Sequence, residues 1–390
     1  MIQLGQRKPE DERIDLMTLL IMGAYFIISV FEPYLNRIVG SYTKYYIFLV
    51  MFVLVLKTGF RLQLRNLSLA YIGWLSWKLI SLLWSEDMST VRLHFISQLG
   101  MILFLVVIIS ARFNAKTIER LKDIYWLASA VMGILAILFA KSYHGVAEAR
   151  QVVVILGVET DPNNLAALLL IGVAISVSNI LYDTKNVIIS ALVLLVNVFG
   201  CFNTGSRASL VTMVALGVFC VFYSPKRNRL VDMLTRMTIL GIAVVSAYFI
   251  ATRFLSETTF ARLFDFSGYE GGTGRGEKWG SAFELLTRDI ATIILGAGWG
   301  TATIYNQSET GLHNTFISML CDTGLLGTLL FLIPIAIVAI RLLKKGKPST
   351  VILLGVQFAP AFFIDAINKR FFWNAIFLLF MAYYQSSKNK

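Results

Sequence analysis

Three arginines and one histidine stand where they could do chemistry: Arg150, Arg207, Arg275 and His313. An arginine presents a planar fork of N–H donors that grips two phosphate or carboxylate oxygens at once. A histidine near neutral pH can take up a proton. Together they describe a site that holds an anion and moves a proton. Thr204-Gly205-Ser206-Arg207 joins two apolar runs with almost no loop, so Arg207 starts a helix at the bilayer boundary. A cation there opposes the helix macrodipole and is costly to desolvate, which favours an anion ligand; the alternative is an arginine snorkelling to lipid headgroups. Arg275 follows Gly271-Gly272-Thr273-Gly274, a run whose backbone N–H groups can cradle an anion or merely turn. Its spacing fits neither a dinucleotide fingerprint nor a Walker loop.

Arg150 precedes Asp161-Pro162-Asn163-Asn164, where Asp161 and Asn163 can cap a helix and Pro162 suits its first turn. Gly311-Leu312-His313-Asn314 opens a later helix, and the positive end of its dipole should keep His313 neutral and able to accept a proton. Asp322, further into that helix, is an intramembrane carboxylate that needs a partner, with Lys78 one candidate. Gly324 and Gly327 suit close helix packing. No Asp-x-Asp and no His, Cys or carboxylate cluster outside the membrane has metal-ligand spacing, so neither a metal nor a cofactor is expected.

These residues are carried by a membrane protein. The chain of 390 residues is 57% hydrophobic and only 15% charged, with a mean hydropathy of +0.70; a soluble domain is about 25% charged. Apolar runs long enough to cross the bilayer predict twelve spans near 14–33, 43–60, 67–84, 91–111, 122–140, 163–182, 186–203, 206–223, 234–251, 314–341, 349–367 and 370–385. The first lacks a small-residue cleavage site and reads as a retained helix rather than a signal peptide. The expected fold is therefore all-α, one polytopic membrane domain over 1–390, with 141–162 and the long loop 252–313 as its only sizeable connections. Cys201, Cys220 and Cys321 fall in apolar stretches and read as core filler.

Orientation follows from Lys and Arg placement. One side receives Arg7, Lys8, Arg13, Lys57, Arg61, Arg65, Arg112, Lys116, Arg120, Lys122, Lys185, Lys226, Arg227, Arg229, Arg236, Arg341, Lys344, Lys345, Lys347, Lys388 and Lys390. That is 21 of the 35 basic residues, so this side and both termini are expected in the cytoplasm and both long connections outside. The pI of about 9.6 is then the electrostatics of insertion and implies no nucleic acid.

The motifs, taken in order, resemble a known family. Leu83-Trp84-Ser85-Glu86-Asp87, Asp161-Pro162-Asn163-Asn164, Thr204-Gly205-Ser206-Arg207, Thr273-Gly274-Arg275 with Trp279, Gly296-Ala297-Gly298, His313-Asn314 and Asp322-Thr323-Gly324-Leu325-Leu326-Gly327 look like the O-antigen ligase and O-antigen polymerase superfamily, from about residue 70 onward. The resemblance implies a metal-independent, inverting glycosyltransferase of the bacterial inner membrane. It would bind an undecaprenyl-diphosphate-linked glycan donor through Arg207, Arg275 and Arg150 and use His313 as base on the acceptor glycan. Asp161, Asn163, Asn314 and Asp322 would support the site. Membrane lipids, and the chain-length regulator and flippase of the same pathway, are the implied partners. Aromatic residues of the long loop (Phe264, Phe266, Tyr269, Trp279, Trp299, Tyr305) would suit stacking on sugar rings. Polymerisation is preferred over ligation of finished polymer to a lipid or protein acceptor. A transporter or lipid-sugar flippase is the reading from another class, disfavoured because no internal repeat is evident.

Overall fold

In hydrocarbon a backbone must satisfy its own hydrogen bonds, so apolar runs of this length fold as helices. A computed structural model describes residues 14–60, 64–111, 113–145, 150–183, 185–223, 229–264, 275–302 and 311–386. Its helices are α1 (Leu16–Val39), α2 (Tyr46–Lys57), α3 (Asn66–Ser81), α4 (Met88–Ser110), α5 (Ala115–Leu138), α6 (Pro162–Ser178), α7 (Val187–Asn203), α8 (Arg207–Phe222) and α9 (Arg229–Phe254). They continue with α10 (Glu257–Phe264), α11 (Arg275–Leu286), α12 (Ile290–Leu295), α13 (Thr315–Lys344), α14 (Ser349–Ala361) and α15 (Arg370–Ser386). Every one of the twelve expected spans falls on one of these helices. Among the described residues five stretches (Leu16–Val39, Asn66–Trp84, Ala115–Leu138, Pro162–Asp183 and Thr315–Lys344) are long and apolar enough to cross a membrane, and further apolar helices are shorter. The protein is a polytopic, all-α membrane protein.

The bundle closes around α6, which is buried along nearly its whole length and packs against α5, α7 and α14. Small residues let these helices approach. A Cβ at Gly172 would lie 2.5 Å from Asn197 Nδ2, and Ser129 Oγ donates across to the Leu168 carbonyl at 2.8 Å. Cys201, Cys220 and Cys321 are all buried free thiols, as core filler should be.

Three local expectations change. The segment 141–162 is not a plain connection but an antiparallel sheet of β1 (Ala140–Ser142), β2 (Gln151–Ile155) and β3 (Val158–Glu159), in that order. Its core is the Val152–Val153 pair, buried against the bundle. The long loop 252–313 holds three short helices, α10, α11 and α12. The span expected over 349–367 ends at Ala361, so Asp365 lies in the turn before α15 rather than inside a helix. That turn is stitched to the start of α13: Thr315 Oγ1 donates to the Ile364 carbonyl at 2.8 Å, and Ser318 Oγ to Asp365 Oδ1 at 3.0 Å.

Candidate functional site

The starts of α6, α8, α11 and α13 meet at one end of the bundle, and each brings an expected site residue. Asp161 caps α6, its Oδ1 accepting from the Asn163 and Asn164 N–H groups at 2.9 and 3.0 Å. That leaves the Asn163 side chain to bind outward. Its Oδ1 accepts from Arg150 Nη2 at 3.1 Å and from Ser206 Oγ at 2.9 Å. The sheet places Arg150, whose carbonyl accepts from the Tyr143 N–H at 2.9 Å just before β2. The Arg150 guanidinium is half-buried near the Tyr143 ring, and its buried Nε has no hydrogen-bond partner among the described residues. Burial lowers its pKa, and the charge of Arg262 does so further.

Arg262, on α10, is a site residue that sequence reading missed. Its Nε donates to the Gly205 carbonyl at 3.1 Å, while its own carbonyl accepts from Arg207 Nε at 2.7 Å. The exchange latches α10 onto the tight turn between α7 and α8, where Gly205 has φ 59°, and it orients Arg207. Arg275 begins α11 about 6.0 Å from the Phe363 ring, and its charge reaches both Arg150 and His313. Guanidinium groups therefore gather from 150, 207, 262 and 275, and one carries an unsatisfied buried donor. Guanidinium groups gathered this way can grip an anion between them.

His313 closes the group. Its backbone is left-handed, φ 53°, between the Leu312 carbonyl, which accepts from Trp279 Nε1 at 3.1 Å, and Asn314, which caps α13. Asn314 Oδ1 accepts from Phe316 N and Ile317 N, both at 3.0 Å, so its role is to start the helix and aim the histidine. A Cβ at Gly311 would lie 2.3 Å from Asp365 Oδ2, so only glycine lets that carboxylate come so close. The His313 pKa is lowered: burial is the main cause, and Lys278 and Arg275 add to it, while Asp365 and Asp161 oppose it. The imidazole is held neutral, as expected, but burial is the leading cause. Asp365 was missed because it is far from His313 in sequence and was placed inside a span.

Asp322 lies deeper in α13, where the charges of Lys78 and Asp365 reach it, and the motifs around it join backbone to backbone. Gly324 breaks α13 with φ 63° and ψ −171°. Into that break fits Gly296, where a Cβ would meet the Asp322 carbonyl and the Gly324 nitrogen at 2.6 Å. The Ala297 N–H donates to the Cys321 carbonyl at 2.7 Å, and Asp322 Oδ1 accepts from the Ala302 N–H at 3.4 Å. The early Trp84-Ser85-Glu86 motif docks on the same turn: Trp84 Nε1 donates to the Gly296 carbonyl at 3.1 Å and Ser85 Oγ to the Trp299 carbonyl at 2.6 Å. Lys78 and Asp322 act on each other electrostatically, but the Lys78 ammonium donates to Gln98 Oε1 and sits 4.1 Å from the Trp299 ring centroid. Trp299 is thus a buried partner of Lys78, not a sugar-stacking residue, and Phe264 packs with Tyr248 and Phe260. Phe266, Tyr269, Tyr305 and Gly271 to Gly274 lie outside the described residues. Among the described residues no three His, Cys, Asp or Glu side chains come together in a way that could hold a metal ion.

Comparison with known proteins finds a likeness over part of the chain. The family model Wzy_C, described as O-antigen ligase, matches residues 190–332. No curated protein matches the chain. The matched stretch holds Arg207, Arg262, Arg275, His313 and Asp322, while Arg150 and Asp365 come from outside it. Residues 190–332 are therefore similar to the O-antigen ligase family, within a multi-pass membrane protein.

Proposed function

We propose that this protein is an inverting, metal-independent glycosyltransferase that polymerises undecaprenyl-diphosphate-linked repeat units on the extracytoplasmic face of the bacterial inner membrane. The observation that carries the reading is the convergence of Arg150, Arg207, Arg262 and Arg275 beside a neutral His313, with the Arg150 Nε lacking a hydrogen-bond partner among the described residues. Four guanidinium groups match the charge of a diphosphate far better than that of a single carboxylate.

In the reaction the acceptor hydroxyl attacks the anomeric carbon of the donor sugar from the face opposite the diphosphate. A new C–O glycosidic bond forms as the bond to the phosphate oxygen breaks, which inverts the centre. His313 takes the hydroxyl proton, and the lipid diphosphate leaves as an anion with its electron pair. The arginines stabilise that leaving charge as it develops, which is preorganised electrostatic catalysis, and His313 supplies general-base catalysis. Asp365, against Gly311 and bonded to Ser318, is placed to stabilise the imidazolium that results.

Both termini are read as cytoplasmic and the site as extracytoplasmic, because the basic connections lie at the opposite end of the helices. The family's description favours one second reading, ligation of a finished polymer to a lipid or protein acceptor. Purified protein given lipid-linked repeat units alone separates the two. A polymerase yields a ladder growing by one repeat, whereas a ligase leaves the substrate intact until lipid A core or an acceptor protein is added.

A further inference from the structure

Across the start of α6 from the arginines lies a cavity of about 400 Å³ between the end of α1, the end of the sheet and the start of α15. Its chemistry is the reverse of the arginine group. Glu32, Glu159 and Asp161 line it, with Asn36, Asn164 and Asn368 between them and Arg370 and Lys369 as its only lining cations. Arg370 is already neutralised within the fold: Nη2 lies 3.1 Å from Glu32 Oε1 and donates to the Thr43 carbonyl at 2.6 Å. Its Nη1 is buried without a hydrogen-bond partner among the described residues, and the residue is 3% exposed. Asn368 is held from behind, its Oδ1 accepting from Gln98 Nε2 at 2.7 Å, and Gln98 in turn accepts from Lys78.

Three carboxylates against two cations, one of them ion-paired, repel a diphosphate. Carboxylates and amides are instead the acceptors and donors that bind a neutral molecule rich in hydroxyl groups. Asp161 links the two regions, because it lines the cavity and its charge also reaches His313. A ligand in the cavity therefore has one end against Asp161. We propose that this cavity is the acceptor subsite, binding the neutral sugar hydroxyls of the glycan chain that attacks the donor. The inference rests on the glycosyl-transfer reading above and adds a physical division: arginines for the diphosphate, cavity for the sugars.

The test uses the full-length purified protein in detergent and two probes kept separate. One is undecaprenyl diphosphate without sugar; the other is the oligosaccharide released by mild acid from the host's own lipid-linked repeat unit. Asn164→Phe fills the cavity next to the capped start of α6, and Asn36→Ala removes one amide at its other wall. Each is expected to weaken oligosaccharide binding by about tenfold or more while undecaprenyl diphosphate binding stays within about twofold. Arg207→Ala is expected to do the reverse. If Asn164→Phe does not fold, Asn36→Ala carries the comparison alone. Oligosaccharide binding that is absent, that is unchanged in the folded variants, or that falls together with diphosphate binding overturns the subsite. Undecaprenyl diphosphate binding that is absent, or indifferent to Arg207→Ala, instead overturns the glycosyl-transfer reading, so the two failures are distinguishable.

Discussion

The chemistry of single residues makes the sharpest predictions. In the proposed reaction, Arg207→Ala and Arg275→Ala would each remove a fork that grips the leaving diphosphate. Loss of one such preorganised contact lowers turnover by about 10²–10³-fold. Lysine at either position should recover little, because a point charge cannot reproduce the paired grip. His313→Ala should cost about 10²–10⁴-fold, the span for a general base. Rates of repeat addition by purified variants, each checked for a native elution profile, measure all of these; a variant with wild-type rate removes its residue from the mechanism. Protonation gives an independent handle. His313 must be neutral to accept a proton, and its pKa is lowered by burial and by Lys278 and Arg275 from the usual 6.5. The acid limb of the activity profile should therefore have its midpoint below 6.5, as the imidazole charges. Lys278→Ala removes a neighbouring cation, so the pKa rises and the acid limb of the rate profile should move to higher pH. A limb that stays put, or moves to lower pH, would mean that His313 is not the titrating base. EDTA should leave the rate unchanged, since arginines supply the charge; loss of activity restored by a divalent ion would contradict this.

At the scale of elements, a few tight junctions hold the site in shape. The break in α13 at Gly324 and the turn at Gly296 interlock backbone to backbone, and both residues lie in regions open essentially only to glycine, φ 63° with ψ −171° and φ 84° with ψ 166°. A side chain at either position adds backbone strain of about 1–3 kcal/mol on top of a direct clash. Gly296→Ala should therefore lower the thermal midpoint in detergent and loosen the start of α13, reducing activity without touching a charged group. An unchanged midpoint would show that the junction does not hold the helix. The Arg262–Gly205 and Arg207–Arg262 bonds form a second junction, between α10 and the α7–α8 turn. Arg262→Ala should weaken undecaprenyl diphosphate binding both by removing a cation and by releasing Arg207. Arg262→Lys, which keeps the charge but loses the Nε latch, should fall between wild type and Ala in the same binding assay.

At the scale of the whole molecule, the prediction is orientation. The three native cysteines are buried, so an introduced one reports with little background. Thr258→Cys, at the start of α10, should react with an impermeant thiol reagent in intact cells. Lys347→Cys, exposed in the turn between α13 and α14, should react only after lysis. The opposite pattern would reverse the topology and place the arginines in the cytoplasm, away from a lipid-linked donor in the outer leaflet.

The sequence by itself determined the membrane character and a helix at each of the twelve apolar runs, and it singled out Arg150, Arg207, Arg275 and His313 as candidates. These were legible because hydrocarbon forces long apolar runs into helices, and because a charged residue at a helix end in the bilayer boundary is costly unless it has a task. The local caps at Asp161 and Asn314 were legible for the same local reason: a helix start needs an acceptor for its free N–H groups. Only the tertiary structure decided which charges meet. Arg262 looks like an ordinary surface residue in a polar stretch until α10 folds back onto Gly205. Asp365 looks intramembrane until α14 ends early at Ala361 and its turn packs on Gly311. Trp299 reads as a sugar platform until the Gly296–Gly300 turn carries it into the core over Lys78. The acceptor-like cavity draws its walls from α1, the sheet, α6 and α15, separated by hundreds of residues. Contacts of that range depend on how helices pack, and helix packing is set by small residues and backbone breaks whose partners no single segment specifies.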